Sequence, residues 1–243
     1  QAFMGDNLDN RALPGVKINV IMGRHAGFLT AAAALARQYP DDGPHLIYMP
    51  ERPFSMEAFV ADVQGVYKKL GRCVIAVSEG IADETGTAIA SKFIKEVDSH
   101  GNAQLSGSGA LGDVLAKEIK EKAQISRVRA DTLGYLQRSF AGVASVVDQK
   151  EARLAGQAAV KFATGGQFEN GSTAIKRMPG KVYETWIERT ELRNVAKETR
   201  HMPDEFISKD GHDVTPAFIK YAAPIVGPLP KIGRLKGVKI AKK

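Results

Sequence analysis

One cysteine, Cys73, occurs among the 243 residues. No intramolecular disulfide and no multi-thiolate metal site can form, and the expected compartment is a reducing one, the cytoplasm. Its setting in "CVIAV" marks Cys73 as a small core residue. Apolar runs fall well short of the roughly 18 to 20 residues that cross a bilayer, and no basic-then-apolar stretch opens the chain, which argues against membrane insertion and export. Zinc-finger, homeodomain and RNP signatures are absent, so nothing accompanies the positive charge to make nucleic acid the expected partner. The stretch "SGSGALGD" lacks the Lys-Ser/Thr ending of a nucleotide-phosphate loop and reads as a flexible connection.

Acid is also in short supply, with 34 Lys and Arg against 27 Asp and Glu. The balance suits an anionic partner. Much of the excess lies in the end segment "KIGRLKGVKIAKK", which reads as a solvated basic tail. Hydrophobic residues at 44% and charged residues at 25% are ordinary for a globular chain. Along it, apolar runs and helical patterns alternate: "VKINVI", a helix over 26–38, "HLIYM", a helix over 55–70, then "RCVIAVSEG". That alternation predicts a parallel α/β sheet, Rossmann-like, with helices in layers on both faces. Ser55 is positioned to cap the second helix and Gly71 to end it. Farther on, "DVLAKEIKEKA" predicts an amphipathic helix, "SRVRADTLGYLQRS" a strand, "VVDQKEARLAGQAAVKFATGG" a long helix closed by glycines, and "TAIKRM" a short strand. The remainder reads as helical pieces separated by Pro203, Pro216 and Pro224. The opening "QAFMGDNLDNRALPG" reads as a helix end entered from upstream, as in a fragment of a longer chain.

Ligands of open parallel sheets gather at the carboxyl ends of strands. Four strand ends therefore carry the candidates. In "MGRHAG", Gly23 and Gly27 allow close backbone approach, Arg24 offers a fork of donors, and the following helix offers free N–H groups; His25 reads as solvated or packed. Glu51, in "MPERPF", is either a hydroxyl acceptor or a salt-bridge partner. Glu79, in "SEG", reads as a structural pair. Arg129, Tyr135 and Arg138, in "RADTLGYLQR", combine two guanidinium groups with a phenol, a set suited to a phosphate monoester dianion, the alternative being a charged edge strand. On a regular strand, positions 129 and 135 would share a face.

In this order and at these separations, "MGRHAGFLTAAAALA", "MPERPF" and "RADTLGYLQRS" resemble the phosphofructokinase family, over most of residues 15 to 165. The resemblance implies part of the three-layer phosphofructokinase fold and a pocket for fructose 6-phosphate lined by Met22, Gly23, Arg24, Glu51, Tyr135, Leu136, Gln137 and Arg138. It implies that Arg129 reaches the substrate phosphate of a neighbouring subunit, hence a homo-oligomer. It also implies Mg2+ as the cofactor. The family's Gly-Gly-Asp donor loop and its Thr-Ile-Asp-Asn-Asp segment, with the catalytic aspartate, do not occur in this sequence. Gly15 stands where ATP-dependent bacterial members carry a further phosphate-binding arginine. No catalytic residue and no metal ligand is therefore expected in the chain itself.

The implied divisions are a sugar-phosphate domain over 15–138, the C-terminal part of the donor domain over 139–180, and a helical extension with the basic tail over 181–243. Tyr135, Ser139-Phe140 and the segment "NVAKETRHMPDEFI" look closer to the pyrophosphate-dependent branch than to the ATP-dependent one. The implied reaction is phosphoryl transfer from pyrophosphate, or alternatively ATP, to the 1-hydroxyl of fructose 6-phosphate. A different class of reading is a non-catalytic subunit that keeps the pocket for regulation.

Overall fold

The computed structural model describes residues 1–93, 109–166, 170–196, 199–235, 238 and 240. Four parallel strands form the central sheet: β1 (Val16–Ile21), β2 (Leu46–Tyr48), β3 (Cys73–Ser78) and β4 (Val128–Thr132), in the order β2-β3-β1-β4. Strand β3 is buried at every position, as expected of an interior parallel strand covered on both faces. Alternate side chains serve two cores. Val16, Ile18, Val20, Cys73, Ile75 and Val77 pack on one face under α3 (Met56–Leu70) and α4 (Ala110–Lys122). Ile21, Ile47, Val74 and Ala76 pack on the other under α1 (Ala2–Ala12) and α2 (Phe28–Ala32). The result is the three-layer α/β arrangement, with Cys73 fully buried and its thiol pKa pushed up by that burial.

Helix α3 begins and ends where the sequence places it. The Ser55 hydroxyl accepts the Ala58 N–H at 3.3 Å, and Gly71 takes the left-handed conformation, φ +70°, while its N–H reaches the Tyr67 carbonyl. Helix α4 buries Leu111, Leu115 and Ile119 on one face. Its first residues take up the end of "SGSGALGD", whose earlier part lies outside the described residues.

Three expectations are corrected. The helix expected over 26–38 stops at Ala32 and tightens into a 3-10 turn, Ala33–Ala36. Asp42 draws the N–H groups of Gln38 and Tyr39 to its Oδ2 at 3.0 and 2.9 Å, and Arg37 reaches Asp213 and the Pro44 carbonyl. These partners compete with continued helix. The segment after 180 is not only helical, because β6 (Thr185–Thr190) pairs antiparallel with β5 (Ser172–Arg177) below the long helix α6 (Val146–Thr164). Finally, the basic tail is not wholly solvated. Arg234 forms ion pairs with Asp41 and Asp42 and lies 3.9 Å from the centre of the Tyr39 ring.

The chain beyond residue 200 returns to the sheet. Met202, Phe206, Ile207, Phe218 and Ala222 are buried in the second core, the last two on α7 (Pro216–Val226). The Ile47 N–H of β2 donates to the His212 carbonyl at 2.8 Å, so the returning segment also covers the β2 edge. The carboxyl ends of the strands thus meet residues more than 150 positions away in sequence.

Beside β2, His45 accepts the Val74 N–H at Nδ1 (2.8 Å), and its Nε2 lies 3.3 Å from the Asp41 carbonyl. Only the neutral ring can do both. Burial holds its pKa below the ordinary 6.5, so the associated stability is present above that pH and lost as pH falls. Thermal unfolding of the chain should show Tm declining from pH 7 toward pH 5. His45→Asn, which can accept the same N–H without titrating, should flatten that decline; an unchanged slope would remove His45 as its source.

Candidate functional site

The first strand end is seated on the third. After β1, Gly23 has φ +141°, and a Cβ there would lie 2.6 Å from the Ala26 carbonyl oxygen, so the turn needs glycine. The Ser78 hydroxyl donates to the Gly23 carbonyl at 2.7 Å and accepts the Gly80 N–H at 3.1 Å. Gly80 lies so close to Arg24 that a Cβ would sit 2.0 Å from the Arg24 carbonyl oxygen. Buried Glu79 reaches the Gly23 N–H at 3.4 Å, a backbone partner in place of the cation a structural pair would bring.

The second strand end supplies Glu51. Its Oε1 accepts two backbone N–H groups, from Gly27 at 2.9 Å and from Met202 at 3.0 Å. The other oxygen, Oε2, is buried and has no hydrogen-bond partner. Of the two sequence readings, the salt bridge is not observed: neighbouring Arg52 pairs with Asp204 at 2.8 Å instead. Glu51 is left with one acceptor available at a strand end. Gly27 is as constrained as Gly80, since a Cβ there would lie 2.7 Å from Oε2 and 2.8 Å from the Met49 Cβ. Its N–H belongs to Glu51, so this amide at the start of the five-residue α2 is not open to an anion.

At the fourth strand end, β4 stops at Thr132 and Gly134, with φ +50°, turns the chain into the four-residue helix α5 (Leu136–Ser139). Tyr135 lies beyond the strand, so the shared strand face expected for 129 and 135 does not exist. Tyr135, Leu136 and Arg138 are exposed, while Gln137 is half-buried with its Nε2 unpartnered. Arg138 crosses to the first strand end, its Nε 3.0 Å from the Met22 Sδ and its guanidinium 5.9 Å from the Tyr135 ring centre.

The structure therefore ties the turn that carries Met22, Gly23 and Arg24 to Glu51 through the Gly27 N–H, and joins the Tyr135–Arg138 turn to it through the Arg138–Met22 contact. Arg129 is elsewhere. It lies opposite Lys17 near the start of the edge strand β4, about 10 Å of strand from Thr132, and with Lys120 and Arg127 lines an open depression. Among the described residues neither Arg24 nor Arg138 has a carboxylate partner. Guanidinium groups without a carboxylate partner suit an anion, and a carboxylate oxygen without a partner suits a hydroxyl. Ser78, Gly80, His201 and Met202 belong to the same cluster and were not singled out by sequence reasoning; His201 Nδ1 reaches the His25 carbonyl at 2.9 Å. No group of three His, Cys, Asp or Glu side chains suited to a metal occurs among the described residues.

Gly80→Ala should displace the Arg24 backbone and cost about 1–3 kcal/mol, the usual range for overpacking. Gly5→Ala is the matching control, with nothing within 4 Å of the added methyl on helix α1. Urea unfolding of the two variants checks this: a Gly80→Ala stability equal to the parent's would mean the turn is not seated as described.

The phosphofructokinase family model matches residues 10–163. The chain is 55% identical over 245 residues to the pyrophosphate–fructose 6-phosphate 1-phosphotransferase of Rhodospirillum rubrum, covering all of this chain and 60% of that protein. It is 38% identical to the protein of the same name from Xanthomonas campestris, covering 91% of this chain and 54% of the relative. The crystal structure of the pyrophosphate-dependent phosphofructokinase of Marinobacter aquaeolei superposes with a TM-score of 0.78 at 28% identity, over 100% of this chain and 59% of that one. The chain thus spans little more than half the length of these relatives. With the family model matched over well over half its length and the ordered strand ends in place, the chain belongs to the phosphofructokinase family.

Proposed function

We propose that this chain supplies the sugar-phosphate half of an enzyme that transfers a phosphoryl group from pyrophosphate to the 1-hydroxyl of fructose 6-phosphate, giving fructose 1,6-bisphosphate. The observation that carries the reading is a buried Glu51 Oε2 without a hydrogen-bond partner, at strand ends whose turns also carry Arg24 and Arg138, neither of which has a carboxylate partner among the described residues. In this reading Arg24 and Arg138 grip anionic oxygens of the sugar phosphate. Glu51 Oε2 accepts a sugar hydroxyl, which removes the cost of its unpaired burial. Met22, Gly23, Tyr135, Leu136 and Gln137 shape the walls, with the Gln137 amide available as a further donor.

Such a site binds and orients. Phosphoryl transfer draws its acceleration from positioning and charge stabilisation, so a half-site rich in arginine and without a nucleophile is chemically sensible. The general base that takes the 1-hydroxyl proton is assigned to a residue outside this sequence. Mg2+ is the proposed cofactor of the whole enzyme. The described residues offer no cage for it, and the arginines, Glu51 and the pocket walls act on the sugar phosphate without the ion. Pyrophosphate is preferred to ATP because relatives aligned over nine-tenths or more of the chain carry that donor in their names. In the proposed homo-oligomer, Arg129, exposed on the edge strand, serves the site of a neighbouring copy. The divisions proposed are residues 15–138 for sugar phosphate, 139–180 as part of the donor domain and 181–243 as a C-terminal extension, in the cytoplasm.

Kinetics of the full-length enzyme test this. Arg24→Ala and Arg138→Ala should each lower kcat/KM for fructose 6-phosphate about 10- to 150-fold, roughly 1.5–3 kcal/mol per charge-assisted contact. Values within about twofold of the parent would remove these residues from the site. With donors compared at matched Mg2+, kcat/KM should be higher for pyrophosphate than for ATP; the reverse order would overturn the donor assignment.

A further inference from the structure

The returning segment at His201–Met202 touches both halves of the cluster. Met202 is 3% exposed, its side chain in the second core, while its backbone N–H is given to Glu51 Oε1 at 3.0 Å. One residue earlier, His201 sits at the surface with Nδ1 2.9 Å from the carbonyl of His25, in the turn that carries Arg24. A carbonyl oxygen can only accept, so Nδ1 carries the proton and is the donor. Two residues later, Asp204 pairs with Arg52, the neighbour of Glu51, and Phe206 is buried. The segment is therefore fastened on both sides of the point where it crosses the strand ends.

This arrangement sets the plane of the Glu51 carboxylate. With Gly27 alone as donor, the group could swing about its terminal torsion and point its other oxygen in a range of directions, since that torsion is broad. Two N–H donors converging on Oε1 remove that freedom. They leave Oε2 buried and without a hydrogen-bond partner. Because His201 ties the same segment to the His25 carbonyl, the positions of Glu51 and of the Arg24 turn are set by one length of backbone. Nothing in the local sequence around "MGR" or "PER" supplies this constraint.

Resting on the sugar-phosphate reading above, we propose that His201 and the Met202 backbone are positioning residues of the site: they fasten the C-terminal segment across the first two strand ends, hold Glu51 with Oε2 toward the substrate hydroxyl, and fix the distance between that oxygen and Arg24. His201 acts through the His25 carbonyl and Glu51 and touches no substrate itself.

The full-length enzyme provides the test, with fructose 6-phosphate and pyrophosphate varied separately. His201→Ala should raise KM for fructose 6-phosphate about tenfold while KM for pyrophosphate stays within twofold and Tm within a few degrees. His201→Asn, whose amide nitrogen stands where Nδ1 does, should recover most of the loss. Hydrogen exchange gives a second readout independent of any substrate: the Gly27 and Met202 amides should be protected in the parent and exchange at least tenfold faster in His201→Ala. Unchanged KM for the sugar phosphate, failure of the Asn variant to rescue, or unaltered exchange at both amides would each overturn the proposal. A parent that does not phosphorylate fructose 6-phosphate would refute the functional reading instead, and the exchange rates would still judge the fastening.

Discussion

One carboxylate oxygen holds the site together. Glu51 Oε1 receives N–H groups from Gly27, at the end of the first strand turn, and from Met202, some 150 residues later, while Glu51 itself lies just beyond the end of the second strand. Each bond joins an ionised acceptor to a backbone donor, the stronger class of hydrogen bond, worth about 1.5–3 kcal/mol where water is excluded. Three chain segments distant in sequence are fixed in one frame by a group of two atoms. The same contact leaves Oε2 buried and unsatisfied, which costs free energy unless a ligand supplies a donor. The fold therefore stores, in Glu51, an uncompensated polar atom at the place where a parallel sheet binds its ligands.

Close backbone packing sets the rest. The strand ends approach so tightly that Gly80 and Gly27 have no room for a Cβ, and Ser78 locks the Gly23 carbonyl from below. These contacts are made by backbone and small side chains, so the long side chains above them are spared for binding. Among the described residues Arg24 and Arg138 have no carboxylate partner, in contrast to Arg37, Arg52 and Arg234, which are used in ion pairs.

Much of this was readable in the sequence, for identifiable reasons. The sheet followed from apolar runs alternating with helical periods, and α3 from a serine cap and a terminal glycine, because those signals are local. The strand-end candidates followed from a general rule about parallel sheets; the turns after the first, second and fourth strands are joined by the Gly27–Glu51 and Arg138–Met22 contacts, while Arg129 lies apart. What escaped was long-range. Helix α2 shortens because Asp42, outside its sequence window, takes the N–H groups of Gln38 and Tyr39. Tyr135 leaves the strand because Gly134 turns the chain, a local signal that period-two counting overlooked. Strand β6 was passed over although Thr185, Trp186, Ile187 and Thr190 favour extended structure; it is completed by pairing with β5. The contribution of Met202 comes from its backbone N–H, which every residue but proline carries, so no residue type could have announced it.

The proposed function depends on Glu51 being held by two backbone donors, with its second oxygen assigned to a sugar hydroxyl. The most direct measurement is a crystal structure of the full-length enzyme with fructose 6-phosphate bound. Oε1 should still be bonded to the Gly27 and Met202 amides, Oε2 should lie within hydrogen-bond distance of a sugar hydroxyl, and the Arg24 and Arg138 guanidinium groups should sit on anionic oxygens of the same molecule. A sugar phosphate bound away from these residues, or a Glu51 whose Oε2 turns to pair with Arg24, would contradict this.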